Sequence, residues 1–118
     1  MHELSVAQHL LDHVTRNVSP EDLPRVLAVR LRLGAMSGIV RDSLDFSFTA
    51  VTYGTPLERA VLEFEERPFV IRCRTCGERT SNELGIAVCD LCGSADTQVE
   101  SGTELDIIHV ELQDRLTE

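Results

Sequence analysis

The sequence lacks lysine and tryptophan, contains few aromatic residues and has no long apolar run. Its 11 basic residues are all arginine and face 20 acidic residues, which gives a net charge of −9. Sequence-independent binding to nucleic acid or to an anionic membrane needs clustered Lys and Arg, so this charge balance argues against both. No apolar stretch approaches the ~20 residues that span a bilayer. The N-terminus also lacks the basic segment and apolar core of a signal peptide, and we therefore expect a cytoplasmic protein.

Catalytic constellations are missing as well. No serine, cysteine or threonine stands in a pattern that pairs a nucleophile with a base and an orienting group, and no glycine-rich loop suits a phosphate. We therefore expect that the protein is not an enzyme and that any nucleotide hydrolysis belongs to a partner.

Four cysteines are concentrated in one stretch, CRTCGERTSNELGIAVCDLC, as Cys73, Cys76, Cys89 and Cys92. Their spacing is C-x2-C-x12-C-x2-C, which in a cytosolic chain is typical of metal ligands rather than disulfides. Each C-x2-C turn places two thiolates at about the separation that a tetrahedral zinc site needs. Glycine follows each pair, and we expect it to let the chain turn so that backbone N–H groups point at the sulfurs. The pattern predicts a structural Zn(II) site with no open position.

Two other interpretations of the cysteines remain. Iron in a redox enzyme uses the same paired motif, although no aromatic residue lies between Cys73 and Cys92 to surround such a centre. The second interpretation is a redox switch in which the cysteines act as a pair of dithiols.

Hydrophobic periodicity predicts two helices and three strands. A helix is expected over residues 3–18, and a second one from a cap at Asp42 or Ser43 to about Tyr53. Strands are expected near residues 29–33, at 60–66 and in GTELDIIHVEL. The stripe predicted for the first helix is Leu4, Ala7, Leu11, Val14 and Val18. The predicted core contains Leu4, Leu11, Leu31, Leu33, Phe48, Leu62, Phe64 and Ile107.

The predicted fold class is α+β: a small three-stranded sheet with two helices that carries an inserted four-cysteine zinc-ribbon module. The strand after the cysteines is expected to rejoin the first two. We accordingly expect an α/β domain from residues 1–70 plus 100–118, and a zinc-ribbon domain from residues 71–99.

The start Met-His-Glu suggests a second metal site. The α-amine of Met1, the amide nitrogen of His2 and the imidazole Nδ1 of His2 form five- and six-membered chelate rings, a nitrogen set that suits tetragonal Ni(II) or Cu(II). On geometry alone the pattern also arises by chance, so His2 remains either a ligand or simply the residue before a helix.

Several segments together resemble one family: MHELS, LRLGAMSGI, YGTPLERAVLEFEE, the paired CxxC and the tail CGS…ELDI. These segments run from Met1 to about Glu111 and resemble the HypA/HybF-type hydrogenase nickel-insertion proteins. The resemblance implies a nickel metallochaperone in which Met1, His2 and Glu3 bind Ni(II) as transient cargo, with Zn(II) structural on the four cysteines. It also implies two partners, a nickel-handling maturation GTPase and the large subunit of [NiFe]-hydrogenase, and it leaves a homodimer open. The alternative is a zinc-ribbon protein-interaction adaptor without nickel transfer.

Three further histidines are distributed outside the cysteine region, and the histidine that some relatives bring from their zinc region is absent here. His9 and His13 stand four residues apart on the predicted first helix, on the side of His2. They form either a solvated polar face or an accessory nickel or zinc site. His109 is expected to be a half-buried strand residue.

Overall fold

The computed structural model describes residues 2–114, and for His2 the description is limited to the backbone. Two helices, six strands and one 3-10 turn lie in this part of the chain. Their bounds are α1 His2–Asn17, the 3-10 turn Leu23–Arg25, β1 Val26–Gly34, α2 Arg41–Thr52, β2 Val61–Arg67, β3 Val70–Cys73, β4 Arg79–Ser81, β5 Thr97–Ser101 and β6 Leu105–Leu112. Within these residues, neither helix has the length and apolar character that a membrane crossing requires.

Two three-stranded sheets organise the strands. The first has the order β2-β1-β6, so the strand that follows the cysteines does return to the first two. The predicted α+β class and three-stranded sheet are confirmed. The second sheet, β4-β3-β5, is antiparallel with a register that pairs Ile71 with Thr80 and with Val99. Sequence analysis missed it because β4 has three residues, too few to show a period.

The chain divides into two compact units. The first contains the residues up to Leu31, residues 39–64 and the residues from Ile107 onward. The second contains residues 32–38 and 65–106, and therefore all four cysteines and the second sheet. Each unit has its own buried side chains.

Helix α1 buries Ala7, Leu10 and Val14, which recur at i, i+3 and i+7 on one side. The prediction that Leu4 and Leu11 belong to this stripe was wrong: Leu4 is 45% exposed and Leu11 is half-buried. Leu10 and Leu11 flank the line from Ala7 to Val14 on opposite sides of the helix, about 100° apart, and the packing buries the side that carries Leu10.

Helix α2 packs against α1 and buries Leu44 and Phe48. The prediction that Asp42 or Ser43 caps it was wrong, because Val40 is the N-cap residue and makes no side-chain cap bond. Asp42 instead lies in the first turn, where a carboxylate interacts favourably with the helix dipole. Gly54 follows the last turn with φ +77°, so glycine ends the helix as expected.

Strand β1 alternates as predicted, with Leu31 and Leu33 buried. Between them, Arg32 Nε lies 2.9 Å from Glu65 Oε2 on β2. Of the predicted core, Leu62 and Phe48 are buried, whereas Phe64 and Ile107 are only half-buried. The guanidinium of Arg41 lies over the ring of Phe64, 4.7 Å from its centroid, and covers part of that half-buried side chain.

Two glycines in the second unit permit close approach of three chain segments. A Cβ on Gly34 would lie 2.2 Å from the carbonyl carbon of Gly102, and a Cβ on Gly102 would lie 2.5 Å from Phe69 Cα. Met36 N–H donates to the Gly102 carbonyl at 2.6 Å in the same place. No residue other than glycine fits either position without backbone movement.

Candidate metal centres

Two turns of the same design present the four cysteines. In the first, the Gly77 amide donates to the Cys73 carbonyl at 2.9 Å, and in the second the Gly93 amide donates to the Cys89 carbonyl at 2.9 Å. Both glycines have positive φ, +80° and +77°. Each turn is therefore a tight reversal that only glycine completes without strain.

The first sulfur of each turn accepts a hydrogen bond from a backbone amide of the same turn. The Cys76 amide donates to Cys73 Sγ at 3.4 Å, and the Cys92 amide donates to Cys89 Sγ at 3.5 Å. The expectation that the glycine turns let backbone N–H groups point at the sulfurs is confirmed, and the glycine amides themselves close the turns. The second cysteine of each pair stabilises the thiolate of the first.

The distances between the four sulfurs fit a tetrahedral zinc site. Cys73 Sγ lies 3.5 Å from Cys92 Sγ, and Cys76 Sγ lies 3.7 Å from Cys89 Sγ. All four sulfurs lie within 4.8 Å of one another. Zn–S bonds of about 2.3 Å in a regular tetrahedron place sulfurs about 3.8 Å apart. The four cysteines thus form a closed set of donors with the dimensions of a zinc tetrathiolate.

The four cysteines differ in burial. Cys73 and Cys89 are 1% and 2% exposed, whereas Cys76 and Cys92 are exposed. Each turn thus contributes one inner and one outer sulfur.

The electrostatics of the cluster favour a cation at its centre. The Cys76 amide lowers the pKa of Cys73 to about 6, and the Cys92 amide lowers the pKa of Cys89. The Ser94 amide acts to lower the pKa of Cys92, but the neighbouring thiol of Cys73, desolvation and the other two sulfurs together raise it to about 12. Four thiolates this close repel one another, so all four ionise only with a metal ion among them.

The N-terminal motif (Met1, His2 and Glu3) is only partly within the described residues. Met1 and the side chain of His2 lie outside them. Glu3 is half-buried, and its Oε2 accepts a hydrogen bond from the Val40 amide at 3.2 Å. This contact connects the start of α1 to the residue that precedes α2.

An open groove of about 320 Å³ adjoins Glu3 and is lined also by Asp42, Ser43, Phe46 and Ser47. The sequence pattern offered Asp42 only as a helix cap and did not single out Phe46, because periodicity alone does not show which loop or helix lies beside the exposed side of α2.

The other histidines are all on the surface. His9 and His13 are exposed on α1, where i,i+4 spacing puts their Cβ atoms about 5–6 Å apart. His109 on β6 is exposed rather than half-buried as expected.

Comparison with known proteins identifies the family. The family model described as hydrogenase/urease nickel incorporation, metallochaperone, HypA matches residues 1–112. This chain belongs to the HypA family. It is therefore a maturation factor of the nickel metallochaperone class and not an enzyme, which removes the redox-enzyme interpretation.

Individual relatives agree over the whole length. A hydrogenase maturation factor HypA from Roseiflexus sp. is 37% identical over 115 residues, covering 97% of this chain and 94% of the relative. HypA of Nitrosospira multiformis is 33% identical and covers 95% of this chain and 97% of its own. HypA of Nostoc sp. is 35% identical, with 97% of each chain covered.

Solved structures support the fold. The solution structure of the Ni metallochaperone HypA from Helicobacter pylori superimposes with a TM-score of 0.65 at 18% identity, covering 96% of this chain and 98% of that one. A second solution structure of a HypA protein gives a TM-score of 0.68 at 20% identity, with 95% and 96% covered.

Proposed function

We propose that this protein carries Ni(II) on Met1, His2 and Glu3 and delivers it to the large subunit of [NiFe]-hydrogenase, together with a nickel-handling maturation GTPase. The observation that carries the proposal is the HypA family match, which begins at residue 1 and so includes the N-terminal motif. In this proposal residues 1–70 plus 100–118 hold nickel, and residues 71–99 form the zinc ribbon. The cytoplasm is the proposed location, since reduced thiols persist there.

Zn(II) on Cys73, Cys76, Cys89 and Cys92 is the proposed structural cofactor. The sulfur separations and the tight turns support this role. A closed tetrathiolate has no open position for a substrate and exchanges slowly. It therefore suits a metal that shapes the ribbon rather than one that is passed on.

Nickel is proposed as the exchangeable cargo because its donors are weaker. An amine, an amide and an imidazole sit at one chain end, and each must be deprotonated to bind. Protonation of the amine and the imidazole near neutral pH therefore promotes nickel release.

Nickel titration tests this proposal. Tag-free protein with an intact Met1 is compared with His2→Ala and with the matched control His109→Ala, which removes one exposed histidine from β6. We expect one zinc per chain in all three by mass spectrometry, and one tightly bound nickel in the wild type and the control only. Equal nickel binding by the wild type, His2→Ala and His109→Ala would show that His2 is not a nickel ligand.

The adaptor interpretation remains the second candidate, and one observation favours it. The ribbon exposes large aliphatic side chains, including Leu84 at 78% and Leu91 at 68%. The Asn82 side chain holds this loop by accepting from the Leu84 and Ile86 amides at 3.0 Å. Such a rigid apolar loop suits protein contacts, and wild-type protein that binds no nickel would leave this function as the better account.

We further propose that His9 and His13 form a weak accessory nickel or zinc site. Two histidines at i,i+4 on one helix face are a chelating pair, and both are exposed. Replacing both with alanine should abolish a second, weaker metal equivalent and leave the first intact. Moving the partner by the substitutions Thr15→His and His13→Thr keeps the composition but turns the second histidine about 120° away from His9, and should have the same effect. An unchanged total stoichiometry would contradict the site.

A further inference from the structure

One face of helix α2 is apolar and exposed. Val40 before the helix is 59% exposed, Phe46 77% and Tyr53 just after it 78%. Phe46 and Tyr53 are seven positions apart, which brings them to the same side two turns apart. The opposite side of α2 is buried through Leu44 and Phe48, so the exposed residues are additional to the core. We call Val40, Phe46 and Tyr53 with the neighbouring Asp42 and Asp45 the α2 face.

The α2 face adjoins the proposed nickel motif. Phe46 and Glu3 line the same groove of about 320 Å³, and the Val40 amide donates to Glu3 Oε2. A volume near the lower limit of small-ligand pockets has room for one large apolar side chain. A protein that fills this groove would therefore lie against Glu3.

The charge of the α2 face is negative. Asp42 and Asp45 are exposed on the helix, and Arg41 is its only basic residue. The Arg41 guanidinium lies over the ring of Phe64 at 4.7 Å. The rim of the groove is thus acidic and complements a partner that carries lysine or arginine.

We propose that the α2 face is the docking surface for the nickel-handling GTPase, which would place an apolar side chain in the groove and basic side chains beside Asp42 and Asp45. The proposal rests on the proposed function, since that function requires a nickel-exchanging partner to reach Glu3. A second copy of this chain fits poorly. A two-fold contact through this face brings the acidic side chains of one copy close to those of the other, in a molecule of net charge −9.

Binding of the purified maturation GTPase from the same organism tests the α2 face. Phe46→Ser removes the groove wall and Asp45→Arg inverts the rim charge. Leu84→Ser is the matched control for an exposed apolar residue, and Glu111→Arg is the control for an exposed carboxylate. We expect Phe46→Ser and Asp45→Arg each to weaken binding by about tenfold or more, as truncation of a central aromatic contact does. Both controls should stay within about twofold of the wild type.

Nickel titration of the same four variants separates this proposal from the proposed function. All should bind nickel like the wild type, because none alters the N-terminal motif. Wild-type affinity for the GTPase in Phe46→Ser and Asp45→Arg would overturn the α2 face, even with nickel binding intact. The α2 face would also be overturned if these two variants kept their GTPase binding but lost self-association. The same holds if they lost only their binding to the hydrogenase large subunit. Absence of nickel binding in every protein would instead remove the proposed function.

Discussion

At the residue scale, glycines have two separate roles in this molecule. Gly34 is required because its neighbours leave no space, and Gly38 because its backbone has φ +82° with nothing within 4 Å of an added Cβ. The first constraint is a backbone clash and the second is a conformational preference. Replacing each glycine with alanine separates the two constraints.

Replacing Gly34 with alanine should lower the free energy of unfolding by about 3 kcal/mol or more, because the methyl group meets the Gly102 backbone. Gly38→Ala should cost only about 1–2 kcal/mol, the strain of an L-residue in the left-handed region. Urea denaturation of both variants measures the difference. Equal losses would mean that the segment around Gly34 relaxes to accept a side chain.

Zinc binding by metal-free protein should release protons at pH 7. Cys92, with its pKa raised to about 12, and Cys76, with its pKa also raised, are protonated at pH 7 without metal, whereas Cys73 is mostly ionised at a pKa of about 6. The bound metal needs thiolates, so about two or more protons must leave. Zinc affinity should accordingly fall as the pH drops from 8 to 6.

Calorimetric titration in buffers of different ionisation enthalpy counts these protons. Cys92→Ser is the control, since it removes the thiol with the highest pKa and should release fewer protons. Release of fewer than about one proton at pH 7 would contradict the assignment for the outer sulfurs.

At the element scale, the start of α2 is left without a side-chain cap. Val40 as N-cap offers no acceptor, and the helix begins with Arg41. A β-branched residue there costs stability that a hydroxyl would recover. Val40 is exposed, and its amide donates to Glu3. Both observations agree with a role for this position in the α2 face and not in helix stability.

Val40→Ser should therefore raise the stability of the first unit by about 1 kcal/mol, because the new Oγ accepts from an amide of the first turn. The melting temperature should rise by about 4 °C. Val61→Ser, at a 56% exposed position on β2, is the control and should give no gain. A lower melting temperature for Val40→Ser would show that contacts of the valine outweigh the cap.

The elements that sequence analysis predicted are those with enough residues to show a period. Strand β1 alternates over several residues between Leu31, Leu33 and the intervening arginines, and α2 ends at Gly54 as expected. The predicted α1 stripe was wrong at Leu4, which is exposed, and it contained Leu11 in place of Leu10, because both leucines fit an apolar helix face and only packing chooses between them. The loop at Asn82 was missed, since a single asparagine does not show which amides its side chain accepts.

The candidate sites also differ in whether a local sequence pattern or the packing of the chain determines them. Cysteine spacing is a local pattern and predicted the cluster, whose sulfurs the structure brings within 4.8 Å. Periodicity placed Phe48 in the predicted core, as the structure confirms, but it gave no sign that the exposed Phe46 borders a groove. The exposed fractions of Phe46 and Phe48 are 77% and 1%.

At the scale of the whole molecule, the second unit has a small core that includes two of the four proposed zinc ligands. Cys73 and Cys89 are buried there with Phe69 and Ile71. A unit with so few large apolar residues depends strongly on a metal ion for stability. Helices α1 and α2 of the first unit have no cysteine among their residues.

Chelation of zinc should therefore increase amide hydrogen exchange in residues 70–101 much more than in α1 and α2. The Gly77 and Gly93 amides, which close the two turns, should lose most of their protection. Exchange followed by mass spectrometry with and without a chelator measures this. A similar loss of protection in both units would show that they unfold as one cooperative structure.

The division of the four sulfurs into an inner and an outer pair gives the cluster a reactive side. An incoming thiol, chelator or oxidant reaches Cys76 and Cys92 before it reaches Cys73 and Cys89, which are 1% and 2% exposed. Ligand exchange and oxidative damage should therefore start at the second cysteine of each pair and move inward. A partly oxidised ribbon would then retain its inner thiols, and reductive repair could restore the site from that half.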